Sequence, residues 1–463
     1  MLSILANRIY ARLFAAQIVA LLGTGLLTVA LGLMAYDLAG DAAGVVLGTA
    51  LTIKMVAYVA VSPLANALFA RVDRKHVLIG ADLIRAGVAL LLPFVDAVWQ
   101  IYVLVFVLQT ASACFTPAFQ AAIPDILPEE EDYTRALSLS RLAYDLENII
   151  SPTLAGLLLT IVSYHWLFSG TVIGFVVSTL LIVITQLPVV GATQEQRFIE
   201  RLTRGARIYF ATPRLRGLLA LNFVASAAGA MVIVNTVVIV RDALAGSESA
   251  VAVALGAFGL GSMTAALMLP GLLTHSPDRR VMFLGAMGNL CLLAIVGGLW
   301  LGGGGGESGD GTASTTAAIG WPSLLIAWLL LGLSYSTVLT PSGRLLKRSA
   351  HAADRPALFA AQFALSHACW LITYPLAGWL GHSFGMGMAM LVLAGLAAVA
   401  LVMAWVFWPK SQGEVELEHR HDDLPPDHPH LLEHGGAGAG RSGRTHRHVF
   451  VIDDEHRIWP THG

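Results

Sequence analysis

The sequence contains few charged residues. Only 13% of its 463 residues are Asp, Glu, Lys or Arg, and 56% are apolar, whereas a soluble domain averages about 25% charged residues. A soluble chain of this length would fold as several domains with a polar surface, and too few charges are present to cover one. The composition therefore excludes soluble, disordered and collagen-like proteins and indicates a polytopic membrane protein.

Cysteines and enzyme motifs are also scarce. The three cysteines, Cys114, Cys291 and Cys369, each lie in an apolar run without a neighbour at metal-ligand spacing, so they are interpreted as core fillers. The sequence has no Gly-rich phosphate loop and no His-Glu-x-x-His motif. It has no soluble region large enough to house an ATPase. The prediction is therefore a protein that is not an enzyme, takes no cofactor, binds no nucleic acid and draws energy from an ion gradient.

Long apolar runs make up most of the chain. A helix needs about 20 apolar residues to cross roughly 30 Å of hydrocarbon. The first run is too long for a signal-peptide core and is interpreted as a retained span. The sequence predicts twelve spans, at residues 13–35, 45–69, 77–96, 100–122, 142–162, 166–187, 215–239, 249–273, 281–301, 321–340, 357–381 and 385–408.

Lysine and arginine are distributed unevenly between the two sides of this predicted bundle. Loops after even-numbered spans are basic, whereas the loops after odd-numbered spans together hold one basic residue, Arg241. Because cytoplasmic loops carry an excess of Lys and Arg, both termini are predicted to lie in the cytoplasm.

The longest internal connection divides the spans six and six. The predicted organisation is a six-helix bundle at 1–187, a basic cytoplasmic linker at 188–214, a second six-helix bundle at 215–410 and a tail at 411–463. Two such bundles form a recurrent transporter architecture in which substrate is handled near the midplane between the halves.

Similar charged sequences follow spans two and eight. The first contains Arg71, Asp73, Arg74 and Lys75, and the second contains Asp278, Arg279 and Arg280. As ordinary positive-inside loops they need no further explanation. The alternative is a pair of inner-gate latches, whose guanidinium groups meet carboxylates or helix C-termini when the cytoplasmic side closes.

Four ionisable residues inside the predicted spans are candidates for proton coupling or for lining the cavity, because such groups cost about 2.5–3.5 kcal/mol each at bilayer depth. Lys54 either snorkels to the interface or pairs with a carboxylate. Asp145 is spaced to pair with Arg141, and Glu147 lies about 200° further around the same helix, so one of the two carboxylates can face the cavity. His367 is either a hydrogen-bonded packing residue, a proton carrier or a metal ligand.

The tail differs from the body in charge and in histidine content. Residues 1–410 carry 23 Lys/Arg and 20 Asp/Glu, whereas residues 411–463 carry 5 and 10, together with 9 of the 15 histidines. Paired prolines and glycines predict disorder, although the apolar segment around Val449–Ile452 is suited to form a strand or to dock. Imidazole beside carboxylate suits first-row divalent metals. The candidate metal ligands are His419, His421, His428, His430, His434, His446 and His448.

The body resembles the major facilitator superfamily. Arg71, Arg74 and Lys75 match basic positions of that family's signature after span two, whereas Asn66 and Ala70 replace its usual glycine and aspartate. Asp73 is expected to substitute in part for the missing aspartate. The segment Ser151-Pro152-x-x-Ala155-Gly156 resembles the antiporter motif of span five. Physically, Pro152 should bend this helix, and Ala155 and Gly156 should let a neighbouring helix approach closely.

The resemblance implies an all-α membrane protein of twelve helices with the major facilitator fold, a monomer in the bacterial inner membrane and in contact with its lipid bilayer. The span four to five region is similar to the enterobactin and drug exporter group, and the His-rich tail is similar to the nickel/cobalt-resistance branch. These resemblances imply proton-coupled efflux of nickel or cobalt by alternating access, with protons as the coupling ion. The alternative is an exporter of organic drugs or siderophores, and a non-transporting membrane metal sensor is a third hypothesis.

Overall fold

A computed structural model describes residues 2–39, 43–69, 71–188, 197–303, 320–409, 416–420, 445–453, 456 and 459. These residues form fourteen α-helices and two β-strands. The helices are α1 Arg8–Ala39, α2 Ala43–Phe69, α3 Arg74–Leu91, α4 Val98–Ile126, α5 Glu130–Leu159, α6 His165–Val183, α7 Phe198–Ala211, α8 Pro213–Val238, α9 Glu248–His275, α10 Asp278–Gly303, α11 Trp321–Leu339, α12 Ser342–Arg348, α13 Arg355–Phe384 and α14 Met386–Phe407. The strands are β1 Glu416–Arg420 and β2 Thr445–Val449.

Each of the twelve predicted spans coincides with one helix. In the described part of the chain, eleven helices are long and apolar enough to cross a membrane. The remaining span lies in α5, which has the length but carries Glu130, Glu131 and Asp132 in its first turn. Carboxylates there stabilise the positive end of the helix dipole, and this helix consequently begins well before the apolar run that the sequence marks.

The helices pack in two groups that meet along one contact region. In the first group α1 and α3 pack on α6, and in the second α9 packs on α11 and α8 on α14. Between the groups, α2 packs against α13 and α5 against α9; this contact region is called the seam. Inside the second group, glycine permits the close approach of α9 and α11. A Cβ at Gly261 would lie 1.8 Å from the Leu329 carbonyl oxygen, and one at Gly332 would lie 1.9 Å from that of Phe258.

The connection between the two groups contains an amphipathic helix, α7. Its buried side includes Arg204, which forms an ion pair with Asp354, and Tyr209, whose hydroxyl donates to Gln362 Oε1 at 2.6 Å. Its other side exposes Ile199 and Phe210. The helix is therefore fixed to the second group on one side and presents apolar side chains outward on the other.

Two predictions are wrong, one about Cys291 and one about the tail. Cys291 is exposed, so it is not a core filler. The tail is not disordered at residues 416–420 and 445–449, which pair as antiparallel strands with Glu416 opposite Val449. The segment that follows docks on the body, with Phe450, Ile452 and Trp459 in the same buried cluster as Leu215, Leu346 and other residues of the second group. The apolar side chains of this segment supply the burial that the polar part of the tail lacks.

Candidate functional site

Charged residues from the basic loops gather at one end of the helices, called here the basic end. Within each helix group, a basic residue at the start of one helix binds the C-terminal end of another. Lys75 Nζ donates to the Val183 carbonyl oxygen at 2.6 Å, and Arg279 Nε donates to that of Trp408 at 2.7 Å. The last carbonyl groups of a helix lack intrahelical partners and carry partial negative charge. The two donors occupy equivalent places in the two groups, after spans two and eight. Their acceptors lie at the C-terminal ends of spans six and twelve.

Ion pairs cross the seam at the basic end. Arg355 of α13 binds Asp125 of α4 at 2.7 Å, and Arg74 binds the same carboxylate from within the first group. Glu130 of α5 forms ion pairs with both Arg344 and Arg348.

A carboxylate of the second group completes this network. Asp278 of α10 binds Arg348 at 2.8 Å and Arg344 at 3.2 Å. Uncharged groups also cross the seam here, since the Tyr133 hydroxyl donates to the Gly343 carbonyl oxygen at 3.2 Å and the Ser62 hydroxyl to that of Ala360 at 3.2 Å. The two helix groups are therefore joined at the basic end.

The predicted inner-gate residues divide among several roles. Arg74 and Asp278 lie in the ion-pair network, and Lys75 and Arg279 bind helix ends. Asp73 does not replace the missing aspartate of the signature, because its carboxylate caps α3 and accepts from the Lys75 amide at 3.0 Å; Asp125 pairs with Arg74 instead. Arg71 and Arg280 are exposed.

A second group of polar side chains meets at the seam, near the middle of the helices. Lys54 of α2 is close enough to Glu147 of α5 and to His367 of α13 for its charge to act on both. Its ammonium also lies 5.6 Å from the centre of the Tyr58 ring, which meets the His367 ring edge-on at 4.8 Å. His367 Nδ1 hydrogen-bonds with the Phe363 carbonyl oxygen at 2.7 Å. Lys54, Tyr58, Glu147 and His367 are called the seam cluster.

The two neighbouring carboxylates of α5 have different surroundings. Asp145 is 3% exposed and binds Arg141 at 2.7 Å. Arg141 extends across the seam, where its Nε donates to the Ser262 hydroxyl at 2.9 Å and its guanidinium lies 5.0 Å from the Tyr335 ring centre. Asp145 is therefore the paired carboxylate, whereas Glu147 lies within range of the Lys54 charge.

Aromatic rings of the second group lie beside the Arg141–Asp145 pair. Tyr335 contacts Phe258 at 5.4 Å and Trp370 at 6.2 Å between ring centres, and Trp370 contacts Tyr374 at 4.7 Å. These four rings are called the aromatic cluster. Such rings offer a large apolar surface with a few polar edges, which suits a bulky organic molecule.

Within the span-five motif, Ser151 makes the close contact with α1. A Cβ at Gly25 would lie 2.1 Å from Ser151 Cβ and 3.1 Å from Glu147 Oε1, so glycine is needed where α1 crosses α5. Ala155 is fully buried, as predicted. The prediction is wrong for Gly156, where an added Cβ meets nothing within 4 Å. The helix continues through Pro152, whose side chain lies outside the described residues.

One buried ion pair was missed by the sequence analysis. Asp82 and Arg85 of α3 pair with each other, and Ser178 of α6 donates to Asp82 Oδ2 at 2.7 Å. The Arg85 guanidinium lies between Phe115 and Phe175, at 4.2 and 4.6 Å from their ring centres. Both residues lie inside a predicted span, so the criterion that singled out Lys54 would have found them.

The predicted metal ligands are only partly described. His421, His428, His430 and His434 lie outside the described residues, whereas His419 is the direct strand partner of His446, with His448 two residues further along β2. Within the part of the chain that the structure describes, no three His, Cys, Asp or Glu residues are grouped to hold a metal ion.

Comparison with known families identifies the family of the chain. The model of the Major Facilitator Superfamily matches residues 13–306 and 218–442. The chain belongs to the major facilitator superfamily. It is a multi-pass membrane protein.

Relatives within the superfamily include efflux proteins. Macrolide efflux protein A of Streptococcus pyogenes is 28% identical over 204 residues, which are 42% of this chain and 50% of that protein. Macrolide efflux protein A of Enterococcus faecalis is 27% identical over 175 residues, 35% of this chain and 54% of that protein. The chain thus spans about half the length of the curated relatives it matches.

Solved structures of superfamily members share the fold. The human organic anion transporter MFSD10 matches with a TM-score of 0.68 and 12% identity, covering 86% of this chain and 99% of its own. The fucose:proton symporter of E. coli matches with a TM-score of 0.62 and 15% identity, covering 87% and 98%. The predicted all-helical major facilitator fold is confirmed.

Proposed function

We propose that this superfamily member exports apolar organic compounds in exchange for protons, by alternating access across the seam. The observation that carries the proposal is that Glu147 lies within range of the Lys54 charge at the middle of the seam, while Arg141 of the same helix contacts Tyr335 of the aromatic cluster. The names of the macrolide efflux relatives agree with an organic cargo. This was the alternative of the sequence analysis, and it has more support than metal export.

The seam cluster provides a means of coupling. While Glu147 is ionised, Lys54 attracts it, and the ammonium is held away from the aromatic cluster. Protonation of Glu147 removes that attraction, so the ammonium and the nearby rings can rearrange. A proton and a cargo molecule that favour opposite arrangements of the same side chains would exchange for each other.

The basic end supplies the gate in this proposal. Its ion pairs hold the two groups together, so the described structure is closed at that end. We propose that the basic end faces the cytoplasm of a bacterium, because its loops carry most of the Lys and Arg. The groups α1–α6 and α8–α14, in a monomer, would then act as the two moving bodies, joined by the 188–214 linker.

The test is transport into everted vesicles with an imposed pH gradient, using a labelled macrolide and a fluorescent apolar dye. We expect uptake that depends on the gradient, and its loss in Glu147→Gln, which keeps the side-chain volume but does not bind and release a proton in the physiological pH range. The matched control is Glu200→Gln, because Glu200 is exposed on α7 and far along the chain from the seam cluster. Gradient-dependent uptake that survives in Glu147→Gln would contradict the coupling role.

Metal export remains a second candidate because of one observation: His419 and His446, each of which belongs to a His-x-His sequence, are direct strand partners. The same vesicles with nickel or cobalt in place of the organic compounds decide between the candidates. Accumulation of metal without accumulation of macrolide or dye would replace the main proposal by metal export. No accumulation of any of them, with metal-dependent change in the tail, would favour the sensor hypothesis.

A further inference from the structure

A cleft opens between α2, α7 and α13, apart from the seam cluster. Its volume is about 220 Å3. Its lining is formed by α2 residues Val59, Pro63 and Asn66, α7 residues with Arg201 among them, and the alanines of α13. Nothing in the transport proposal uses this space.

One wall of the cleft is an apolar strip. Ala357, Ala361, Ala364 and Ala368 recur on α13 at spacings of four and three residues, which places them on one face of the helix. Small side chains leave a shallow groove along that face, and α2 closes it from the other side. Such a groove offers van der Waals contact to a hydrocarbon chain and almost no hydrogen-bonding partner.

The cleft also contains a cation without a partner. Arg201 is half-buried, its Nε is shielded from solvent without a hydrogen bond, and its side chain has no ion pair with any residue that the structure describes. This contrasts with Arg204, one turn further along α7, which binds Asp354. Only the Nε–H is shielded from water without a hydrogen bond, which is unfavourable, and the rest of this half-buried guanidinium stays accessible, so the cleft is suited to an anion from outside the chain.

The position of α7 indicates where that anion comes from. The helix is charged on one side and exposes Phe198, Ile199 and Phe210 on the other, which is the pattern of a helix that lies in the membrane interface. Basic pockets between membrane helices bind the head groups of anionic lipids. We propose that the cleft binds one anionic phospholipid, with its phosphate on Arg201 and an acyl chain along the alanine strip of α13.

The bound lipid would act on the gate. The helices that form the cleft, α2 and α13, are also the helices that the Ser62–Ala360 hydrogen bond joins across the seam. A lipid that contacts both helices stabilises the arrangement in which they lie together. It therefore favours closure of the basic end, as a ligand favours the conformation that it binds more tightly.

The experiment measures lipid retained by the purified full chain, by native mass spectrometry after titration with dioleoyl phosphatidylglycerol or dioleoyl phosphatidylcholine in detergent. We expect preferential retention of phosphatidylglycerol, with affinity about fivefold lower in Arg201→Gln, the effect of one basic contact. Arg197→Gln is the matched control, because it removes the same charge from an exposed site at the start of α7. Ala368→Leu, which fills the groove without changing charge, should also weaken retention, and it tests the site even if Arg201→Gln fails to fold.

Three results would overturn the proposal. Equal retention by Arg201→Gln and the unchanged protein would exclude the arginine, and equal retention of both lipids would exclude anion selectivity. The third is binding of glycerol 3-phosphate as tightly as the lipid, which would reduce the site to a phosphate site. None of these outcomes depends on transport activity, so failure here is distinguishable from failure of the export proposal.

Discussion

A buried ion pair inside one helix group differs from an exposed ion pair that joins the two groups. The Asp82–Arg85 pair lies within the first group, where its side chains are 0% and 7% exposed. The Glu130–Arg348 pair joins the two groups, and its side chains are 42% and 30% exposed. Water and salt screen exposed pairs, whose contribution is about 0–1 kcal/mol, whereas removing one partner of a buried pair costs about 3–5 kcal/mol.

This difference fits the two tasks that a transporter of this superfamily has to perform. A pair that never separates can be buried deeply, because the transport cycle never exposes it. In the proposed cycle, the pairs at the gate break and form again. The exposed Glu130–Arg348 pair suits that role, and the more buried Asp125–Arg355 pair, whose side chains are 7% and 17% exposed, adds to the closure of the basic end.

The largest expected effect is on the buried pair. Arg85→Gln leaves Asp82 without its cation among Phe115, Phe175 and other apolar groups, so we expect the free energy of unfolding to fall by about 3–5 kcal/mol. Denaturant unfolding of the purified protein measures this, and Arg280→Gln, an exposed arginine, serves as the control.

A double variant sharpens the same comparison. Replacing both members, Asp82→Leu with Arg85→Met, removes the unpaired charge, so we expect stability to return close to that of the unchanged protein. Normal transport by this double variant is also expected, because the pair is structural. A stable double variant that has lost transport would place the pair in the transport cycle and would end the distinction drawn here.

The next effect is on the gate. Arg348→Gln removes ion pairs with Glu130 and Asp278 but leaves Arg344 beside both. We expect little change in stability and an increase of up to about tenfold in the population open at the basic end, equivalent to about 1.4 kcal/mol. The measure is the rate of maleimide labelling at Ser62→Cys, a site on the seam, in a background where the native cysteines are serine.

Arg280→Gln again provides the control for the gate, since it removes an exposed charge from the same end of the helices. Its labelling rate should equal that of the background protein. If Arg280→Gln accelerates labelling as much as Arg348→Gln does, the effect comes from the net charge of the basic end and not from particular ion pairs.

The fold could be predicted well because its signals are local. A run of about 20 apolar residues identifies a span by itself, and each predicted span coincides with a helix. The helix α7 was missed because only its length and charge were considered, although its apolar residues recur with helical spacing. Asp82 and Arg85 also have a local signal, since both are charged residues inside the predicted span 77–96.

The site was less predictable because its contacts are distant in sequence. Asp125 meets Arg355 across 230 residues, and no local pattern connects the two. The spacing of Arg141 and Asp145 indicated their ion pair and showed that Glu147 points elsewhere, but the position of Lys54 near Glu147 depends on the packing of helices that are distant in sequence. The carboxylate that pairs with Arg74 lies at the end of α4 and is also distant in sequence.

The smallest expected effect concerns the docked tail, where His351 binds Asp453 at 3.4 Å and Asp453 accepts from the His456 amide at 2.7 Å. The hydrogen bond with Asp453 raises the pKa of His351, and the negative charges of Asp453 and Asp354 raise it further. Burial and the positive charge of Arg355 act in the opposite direction. Burial alone would raise the pKa of Asp453, but the hydrogen bonds from His351 and His456 hold it well below its ordinary value.

These shifts predict a pH window for docking. The contribution of His351 is complete below its ordinary pKa, about 6.5, and is lost as the pH rises through its raised value; that of Asp453 is complete above about 3.9 and is lost as the pH falls further. Docking should therefore be strongest between about pH 4 and 6.5. Hydrogen exchange of the amides at 450–453, compared with His351→Gln at each pH so that intrinsic exchange rates cancel, should show a few-fold greater protection of the unchanged protein inside this window. Protection that is equal in the two proteins at pH 5.5 would show that Phe450, Ile452 and Trp459 hold the segment by burial alone.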